Sequence, residues 1–582
     1  MHEFILQHII TMKYRLLLIA LFGIMAINAQ SQQIRLNQVG YLPQAQKIAI
    51  VEGAKKQSQF EIHSHNQIVY SGTLSQAQYW DLSGETVQIA DFSNFTTAGD
   101  YTIHVKGIKK SYPFRIGEQV FHDVNNAIVK AFYLNRSGIE ILPEYAGIYA
   151  RKAGHPDTAV IILPSAAGPV RKAGDVISTP RGWYDAGDYN KYIVNSGIST
   201  GTLLLAYENY SSYFDTLTWN IPESANNRAD LLDEILWNLD WMLTMQDPND
   251  GGVYHKTTEA QFCGMLMPHE ASNTPRYVAA KGTSATLNFA ATAALAARIF
   301  KTKNPEYAQK CLAAAKKAWA WAEKNPQVEY HDPKAEAGFP QVRTGWYGDG
   351  NFDDERLWAA SELYIATLDT AYSAHIQLNR DFSIPWWQSV ETLALYSLYN
   401  NRSLVAGGID TALVVEKLMH KANELLTRQQ HNPYRTPITD FPWGSSGVMA
   451  NKGIWLLYGY RITQNADYYN AALACFDYLL GRNATGYSFV VGYGSKFSQN
   501  IHHRPSEADG ITGSIPGFVA GGPNGNSIKH DCPHYSKYPA KAYYDGTCSY
   551  TTNEIAINWQ APATYLAHAL MAEYNLLVRQ RN

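Results

Sequence analysis

Helical periodicity from Phe121 to the C-terminus constrains the fold more than any other feature of the sequence. Apolar residues recur there three and four positions apart, as in Val124, Ile128 and Phe132, which is the spacing of an amphipathic helix. About a dozen such blocks follow one another, and they pair only loosely as hairpins. The pattern therefore predicts a mainly α-helical domain over residues 118–582, closed into a toroid rather than stacked as a solenoid.

The connections between the helical blocks are unusually long, and they are rich in aromatic residues and glycine. The longest are 140–188, 247–282, 431–447 and 484–553. Long irregular connections inside a compact domain are uncommon and usually carry function. We therefore expect the functional residues to lie in these segments.

The chain before the helical region has a different pattern. Residues 33–117 contain short runs with partial alternation of apolar and polar residues, such as 47–53 and 100–107, separated by Pro, Gly, Asn and Ser. This pattern predicts a small β-sandwich, which we assign to residues 30–117. Two domains are expected on length as well, because 582 residues exceed the usual size of one hydrophobic core.

Residues 1–29 have the pattern of a signal peptide. Lys13 and Arg15 precede a short apolar run, and small residues follow up to Ala29. The signal fits a chain whose true start is Met12, and its apolar run is too short to span a bilayer. We predict export to the periplasm or the extracellular space, with no membrane span.

Charge and composition exclude some partners. The formal charge of −3 gives no general attraction to nucleic acid, and a mean hydropathy of −0.28 argues against a protein with several membrane spans. Aromatic residues make up 13% of the chain, which suits sugar binding because flat rings stack on pyranose faces. We expect a monomer that binds no nucleic acid.

The five cysteines are scattered without a CxxC pair, which argues against a thiolate zinc site. Cys532 and Cys548 lie in one irregular segment, and an oxidising destination favours a disulfide between them over two separate thiols. Cys311 and Cys475 occur in alanine-rich helical patterns and are predicted to lie in the core.

Asp185 and Asp188 flank an Ala-Gly turn within the segment 181–192, just before a helical block. Two carboxylates three residues apart on a turn can point at one water, and a following helix N-terminus stabilises negative charge. The alternative is ordinary, since aspartate favours turns and helix caps.

Glu554 follows a long connection and precedes the last helical block, among tyrosine and tryptophan residues. A partly buried carboxylic acid in such a place can have a raised pKa and remain protonated. The alternative is a routine helix start, with Thr552 or Asn553 as the cap.

Ile501, His502, His503 and Arg504 form the third group of candidates, in a glycine-rich aromatic segment. The polar side chains could donate hydrogen bonds to a neutral substrate or ligate a metal, but no HExxH motif or close third ligand supports the metal. The sequence also lacks a Walker loop, a GxGxxG after a strand and a GxSxG elbow, which removes nucleotide-binding and serine-hydrolase functions.

Taken together and in this order, these segments resemble glycoside hydrolase family 9, the cellulase family, in its subgroup with an immunoglobulin-like N-terminal domain. The resemblance covers nearly all of the mature chain. It is carried by the start of the N-terminal domain (34–43), the base segment (182–192), the histidine signature (488–504) and the acid signature (543–556). It implies an (α/α)6 toroid preceded by an immunoglobulin-like β-sandwich.

The resemblance also implies roles for single residues. Asp188 would take the proton from water, Asp185 would help to hold that water, and Glu554 would be the general acid. His502 and Arg504 would bind substrate at the cleavage point. The acid signature departs from the family pattern at one position, where Gln560 stands in place of the expected Asn. The side chain remains an amide with a longer reach, which puts fine positioning there in question.

Further substrate contacts are expected from aromatic residues and one histidine near these motifs, with core packing as the alternative for each aromatic residue. The candidates are Trp183, Tyr189, His255, Trp443, Tyr493 and Tyr550.

The segment 348–358 resembles a calcium-binding stretch of family members, with Asp354 and Glu355 as the side-chain ligands. Oxygen ligands suit calcium. The acidic partner expected near Trp386 and Gln388 is missing, so a simple helix start is the alternative. We expect no required cofactor and consider only a structural calcium ion.

Inverting hydrolysis needs an acid and a base about 6.5–9.5 Å apart, with a water between the base and the sugar. Two residues on separate connections, such as Asp188 and Glu554, can satisfy this, whereas Asp185 and Asp188 are too close together to straddle a sugar. We predict an inverting endo-β-1,4-glucanase acting on cellulose-like glucans, including xyloglucan or mixed-linkage glucan. An exo-acting β-glucosidase or cellobiohydrolase and a non-hydrolytic glucan-binding protein are the alternatives.

Overall fold

The computed structural model describes residues 33–54, 58–336, 338–525, 531–532 and 535–581. The predicted signal peptide, residues 1–29, lies outside these residues. No helix within the described part of the chain is long and apolar enough to cross a membrane.

The N-terminal region forms two sheets that face each other across one apolar core. The alternation seen in the sequence explains this arrangement, because Phe60 and Ile62 point into the core while Gln59 remains exposed. The four-stranded sheet has the order Ile34–Arg35, Ile48–Glu52, Glu85–Asp91 and Gln78–Trp80. The five-stranded sheet has the order Gly40–Tyr41, Phe114–Ile116, Gly99–Val105, Gln59–Ser64 and Gln67–Thr73.

The rest of the chain is mainly helical, as predicted. The longer helices are His122–Leu134, Ile193–Phe214, Asp230–Thr244, Thr283–Phe300, Pro305–Lys324, Asp353–Thr367, Glu391–Asn400, Thr411–His431, Ser445–Thr463, Ala466–Leu479 and Ile557–Arg581. The shorter ones are Pro143–Ala146, Pro268–Ala271, Thr370–Ser373, Arg402–Val405, Arg504–Ala508 and Tyr550–Asn553. Short 3-10 turns occur at Gly147–Tyr149, Pro164–Ala166 and Pro539–Lys541.

One set of helices is buried on nearly every side and packs neighbour to neighbour. Ile193–Phe214 contacts Thr283–Phe300, which contacts Asp353–Thr367, which in turn contacts Glu391–Asn400. Small residues allow close approach, since a Cβ at Gly201 would lie 2.6 Å from the ring of Trp358.

The other buried helices complete this set. The rings of Tyr396 and Tyr458 stack with centroids 4.1 Å apart and so join Glu391–Asn400 to Ser445–Thr463. The latter helix contacts Ile557–Arg581, which packs back on Ile193–Phe214. The remaining long helices pack against the outside of this set.

Two of the segments predicted as irregular connections, 140–188 and 247–282, contain short strands. Together with Lys191–Tyr192, which follows the first segment, these four strands form a five-stranded sheet in the order Val176–Ile177, Val160–Ile162, Arg276–Val278, Lys256–Thr258 and Lys191–Tyr192. Strands of two or three residues are too short to produce a recognisable alternation, so the sequence could not predict them.

The β-sandwich packs directly on the helical domain. Trp80 lies against Tyr434 with ring centroids 4.8 Å apart, and the Asn37 amide donates to Asp477 at 2.9 Å. Apolar residues of the four-stranded sheet, including Ile48 and Ile89, belong to the same core cluster as the helices. The two domains therefore share buried surface.

Candidate active site

The turn that carries Asp185 and Asp188 is held by the short sheet beneath it. The turn leads into the strand Lys191–Tyr192, which pairs with Lys256–Thr258. Below it, the buried carboxylate of Asp157 pairs with Lys191 at 2.8 Å and with Arg276 at 3.0 Å. Arg276 also donates to the carbonyl of Tyr189 at 2.9 Å, which ties this ion cluster to the turn.

Asp185 is buried and accepts two hydrogen bonds from distant parts of the chain. The Asn195 amide donates at 2.7 Å and the Tyr347 hydroxyl donates at 2.8 Å. Burial and the neighbouring charge of Asp188 raise the pKa of Asp185 to about 8. The pair therefore carries fewer than two negative charges at neutral pH.

Asp188 lies three residues further on and is also almost fully buried. Its Oδ2 atom accepts hydrogen bonds from the backbone N–H of Asn190 at 3.3 Å, from the Asn190 amide and from the Tyr192 hydroxyl at 3.4 Å. These contacts fix the orientation of the carboxylate relative to the turn.

Glu554 reaches the same turn from the other end of the catalytic domain. The backbone N–H of Gly187 donates to its Oε1 atom at 3.3 Å. Burial, with a contribution from the charge of Asp188, raises the pKa of Glu554 well above its usual value, which favours the protonated carboxyl. Glu554 precedes the last helix, which begins at Ile557, so it is not part of the first helical turn.

Gly187 is required by the close approach of the histidine segment. A Cβ at this position would lie 2.2 Å from the carbonyl oxygen of His502, which is far inside van der Waals contact. Arg504 donates to the Gly187 carbonyl at 2.7 Å, and the His502 N–H donates to the Asn553 carbonyl at 2.9 Å. The segment 502–504 therefore joins the turn of Asp188 to the chain that carries Glu554.

His502 is held in one orientation by its Nδ1 atom, which donates to the Thr547 carbonyl at 2.6 Å. Burial lowers the pKa of His502, so the ring is neutral at neutral pH and its Nε2 atom is a hydrogen-bond acceptor. Its ring lies 6.0 Å from that of Tyr550, edge to face.

Arg504 uses its guanidinium to fix backbone. Besides the Gly187 carbonyl, it donates to the carbonyl of Cys263 at 3.0 and 3.1 Å, and it lies 5.7 Å from the ring centroid of the exposed Phe262. These contacts favour a positioning role, in addition to any contact with substrate.

Three residues expected to contact substrate are fully buried among protein groups, as core packing would have them. Trp183 packs on Phe132 in the helical core, and the Tyr189 hydroxyl donates to the Leu266 carbonyl at 2.6 Å. His255 stacks on Tyr330 with centroids 3.6 Å apart, and burial lowers its pKa to about 3. These three side chains pack in the protein interior next to the segments that form the site.

The other expected contacts are more accessible. Trp443 is 44% exposed and Tyr550 is 36% exposed, and their rings lie 5.8 Å apart beside His502. Tyr493 is half-buried and lies within electrostatic reach of Asp123, at the start of an outer helix. The structure therefore connects Trp443 through Tyr550 to His502 and places Tyr493 next to another element.

Sequence reasoning missed Tyr347, Trp346 and Trp386. Tyr347 donates to Asp185 from a backbone with a positive φ of 45°, which is unusual for a residue other than glycine. Trp346 is 45% exposed and Trp386 is 37% exposed. The signal available was the aromatic segment 344–348 next to the suspected calcium stretch, but nothing in it pointed to Asp185.

Two family models match the chain. Residues 121–567 match the model of glycosyl hydrolase family 9, and residues 29–110 match that of the cellulase N-terminal ig-like domain. The chain belongs to glycosyl hydrolase family 9.

Relatives of known activity cover almost the whole chain. The chain is 40% identical over 584 residues to the xyloglucan-specific endo-β-1,4-glucanase BoGH9A of Bacteroides ovatus. This alignment covers 95% of this chain and 98% of BoGH9A. It is 34% identical over 560 residues to endoglucanase D of Acetivibrio thermocellus, covering 93% and 84% of the two chains. A solved structure, Bacteroides ovatus GH9, has a TM-score of 0.85 at 38% identity and covers 93% of this chain and 99% of its own. The protein is therefore a glycoside hydrolase.

Gln560, which departs from the family pattern, is buried and fully hydrogen-bonded. Its Oε1 atom accepts from the Val519 N–H at 2.9 Å, and its Nε2 atom donates to the carbonyls of Ile128 at 2.6 Å and Gly517 at 2.9 Å. The longer amide thus ties the last helix to the segment before it and to an outer helix.

The cysteines are arranged as the sequence predicts. A disulfide joins Cys532 to Cys548, with Cα atoms 5.7 Å apart, in the segment that leads to Glu554. Cys311 and Cys475 are buried free thiols.

The segment suspected of binding calcium contains three buried carboxyl groups, those of Asp349, Asp354 and Glu355. One oxygen of each has no donor as a hydrogen-bond partner, and burial raises all three pKa values, that of Asp354 to about 6. Neighbouring carboxylates add to the shift, Glu329 at Asp349, Glu391 at Asp354 and Asp354 at Glu355. The donor chemistry fits a hard cation. Among the described residues, however, no three His, Cys, Asp or Glu side chains are grouped closely enough to hold a metal ion.

Proposed function

We propose that this family 9 enzyme is an inverting endo-β-1,4-glucanase in which Glu554 is the general acid and Asp188 the general base. The observation that carries this proposal is the hydrogen bond at 3.3 Å from the backbone N–H of Gly187 to the carboxyl of Glu554, whose pKa is raised by burial. This hydrogen bond places the Glu554 carboxyl beside the turn in which Asp188 directly follows Gly187. Acid and base thus come from two remote segments that meet at one place.

The chemistry follows from these positions. Glu554 gives its proton to the glycosidic oxygen as the bond from that oxygen to the anomeric carbon breaks. Asp188 takes a proton from a water that attacks the anomeric carbon from the opposite face, so the product hydroxyl has the inverted configuration. Asp185, held by Asn195 and Tyr347, helps to hold that water.

The substrate class is inferred from relatives and from the exposed aromatic residues. BoGH9A is named as specific for xyloglucan and the Acetivibrio thermocellus relative as an endoglucanase. Trp443 and Tyr550 beside His502, and the exposed Trp346 and Trp386, offer ring faces for pyranoses. These observations support a β-1,4-glucan backbone, with xyloglucan as the preferred polymer.

Product analysis tests this proposal. With xyloglucan, cellulosic glucan and mixed-linkage glucan offered separately, we expect a rapid fall in polymer length at low release of reducing ends, fastest on xyloglucan. Proton NMR of the earliest products should show the α-anomer before mutarotation. A β-anomer would rule out inversion, and release of only cellobiose or glucose from the start would identify an exo-acting enzyme.

We propose that a structural calcium ion binds at Asp354 and Glu355, with backbone carbonyls and water as its other ligands. The unpartnered carboxyl oxygens support this, because a cation would remove the cost of burying them. Calcium at 100 times its Kd would stabilise the fold by about 2.7 kcal/mol. The stabilisation should grow as pH rises towards neutrality, since bound protons compete with the ion at carboxyls of raised pKa.

Thermal unfolding with and without EDTA at pH 5 and pH 7.5 measures this effect. We expect EDTA to lower Tm at pH 7.5 more than at pH 5, and the Asp354→Asn variant to lose the response. An Asp381→Asn variant, at an exposed position, is the control. If EDTA did not change Tm and the purified protein contained no calcium, the calcium proposal would be wrong. Asp354 and Glu355 would then only begin a helix.

We also infer the remaining features of the organisation. The neighbour-to-neighbour packing of the buried helices supports an (α/α)6 toroid over residues 118–582, with the sandwich over 30–117. We propose that residues 1–29 are a signal peptide and that the mature enzyme works as a monomer in the periplasm or outside the cell.

A further inference from the structure

A cavity of about 390 Å³ lies between the β-sandwich and the helical domain, away from the catalytic carboxylates. We call it the seam cavity. The strands Ile48–Glu52 and Glu85–Asp91 form one side, and the helices Thr411–His431 and Ala466–Leu479 form the other. Its volume is within the range of sites that bind small ligands.

Gln429 lies in the wall of this cavity with its polar group unused. The residue is 6% exposed, and its side chain makes no hydrogen bond to any residue that the structure describes. The amide atoms keep some contact with solvent in the cavity, so their hydrogen-bonding capacity is available to a ligand. A ligand in the cavity would supply the missing partners.

Arg435 also lies in the lining of the seam cavity, and its guanidinium has no salt-bridge partner among the described residues. It is half-buried, and its backbone has a positive φ of 52°. Burial and the nearby Arg482 lower its pKa, although Asp91 partly offsets this. Backbone strain persists where the surrounding structure enforces it, and such positions cluster at ligand-binding sites, so Arg435 in the cavity lining is a candidate ligand contact.

The remaining walls combine polar and apolar groups. The lining includes the polar residues Gln46, Gln430, Asn470, Asp91 and Asp467. Ile48, Ile89, Leu426 and Ala471 supply apolar surface. A second open cavity of about 540 Å³ shares Gln46, Asp91 and Asn470, so the space continues as a groove along the sandwich.

We propose that the seam cavity and its groove bind a neutral oligosaccharide, a segment of the glucan chain, without cleaving it. Amides, carboxylates and a guanidinium match the paired donors and acceptors of vicinal hydroxyls. The apolar surface suits the C–H faces of a pyranose. An anion is disfavoured because two carboxylates share the lining with one guanidinium, and the groove gives room for an elongated chain. The choice of glucan rests on the proposed function.

The test uses the full chain with Glu554→Gln, so that the probe is not hydrolysed, and titrates it with cellotetraose and with a xyloglucan heptasaccharide in a calorimeter. We expect two sites per chain for at least one probe. Adding Arg435→Gly, which removes the guanidinium and relieves the positive φ, or Gln429→Ala should weaken one site at least about tenfold and leave the other unchanged. Gln377→Ala, at an exposed glutamine on another surface, should leave both sites intact.

Hydrolysis of the same oligosaccharides by the parent enzyme separates the two proposals. The seam site would be overturned if both probes bound at one site per chain, if Arg435→Gly and Gln429→Ala left that binding unchanged, and if the parent enzyme cleaved both probes. The proposed function would then still stand. Failure of the parent to cleave any β-1,4-glucan would instead overturn the proposed function. In the Arg435→Gly variant of the parent, we expect an unchanged kcat on cellotetraose and a higher KM on polymer.

Discussion

The Glu554→Gln variant is expected to lose about 10²–10⁴-fold in kcat on glucan polymers, because the leaving sugar can no longer receive a proton as it departs. The loss should nearly vanish on 2,4-dinitrophenyl β-cellobioside, since dinitrophenolate leaves without protonation. The native enzyme should also lose kcat/KM at alkaline pH as Glu554 ionises, at an apparent pKa well above that of an ordinary glutamate. The variant should lack this alkaline decline on the activated glycoside.

Steady-state kinetics of both substrates over a range of pH measure this effect. Glu306→Gln is the matched control, since it makes the same chemical change at an exposed position on an outer helix. Equal losses on the polymer and on the activated glycoside would show that Glu554 is not the proton donor. Circular dichroism should confirm that the variant remains folded.

The Asp188→Asn variant is expected to lose a similar factor, about 10²–10⁴-fold, but on both kinds of substrate. A good leaving group does not help here, because the missing step is the removal of a proton from the attacking water. Added azide should restore turnover of the activated glycoside, since it needs no general base, and the product should be the α-glycosyl azide.

Product analysis by NMR and the azide dependence of the rate are the measurements. Asp185→Asn provides the internal comparison, because it should reduce the rate without azide rescue if Asp185 only positions the water. Asp381→Asn controls for the substitution itself. If Asp185→Asn were rescued by azide and Asp188→Asn were not, the two roles would have to be exchanged.

Much of the fold follows from local pattern. The block with Val124, Ile128 and Phe132 appears as the helix His122–Leu134, and the run at 47–53 appears as the strand Ile48–Glu52. Helix and strand periodicities were readable there because each element is long enough to repeat its pattern. The strands Lys191–Tyr192 and Lys256–Thr258 were not predicted, since they are stabilised by partners distant in sequence and too short to show a pattern.

The order of the two domains, the candidate catalytic motifs and the cysteine pair can be predicted from the sequence, because each depends on residue types at short spacings. From the sequence alone, neither Asp188 nor Glu554 could be distinguished from an ordinary residue at a helix start. The hydrogen bond from Gly187 to Glu554 joins residues 367 positions apart, and that from Tyr347 to Asp185 joins residues 162 positions apart. Both contacts become visible only in the folded structure. It also decided that Trp183 is buried while Trp443 is exposed. The reason is physical: burial and proximity raise the pKa values and select the accessible rings, and both arise only when remote segments pack together.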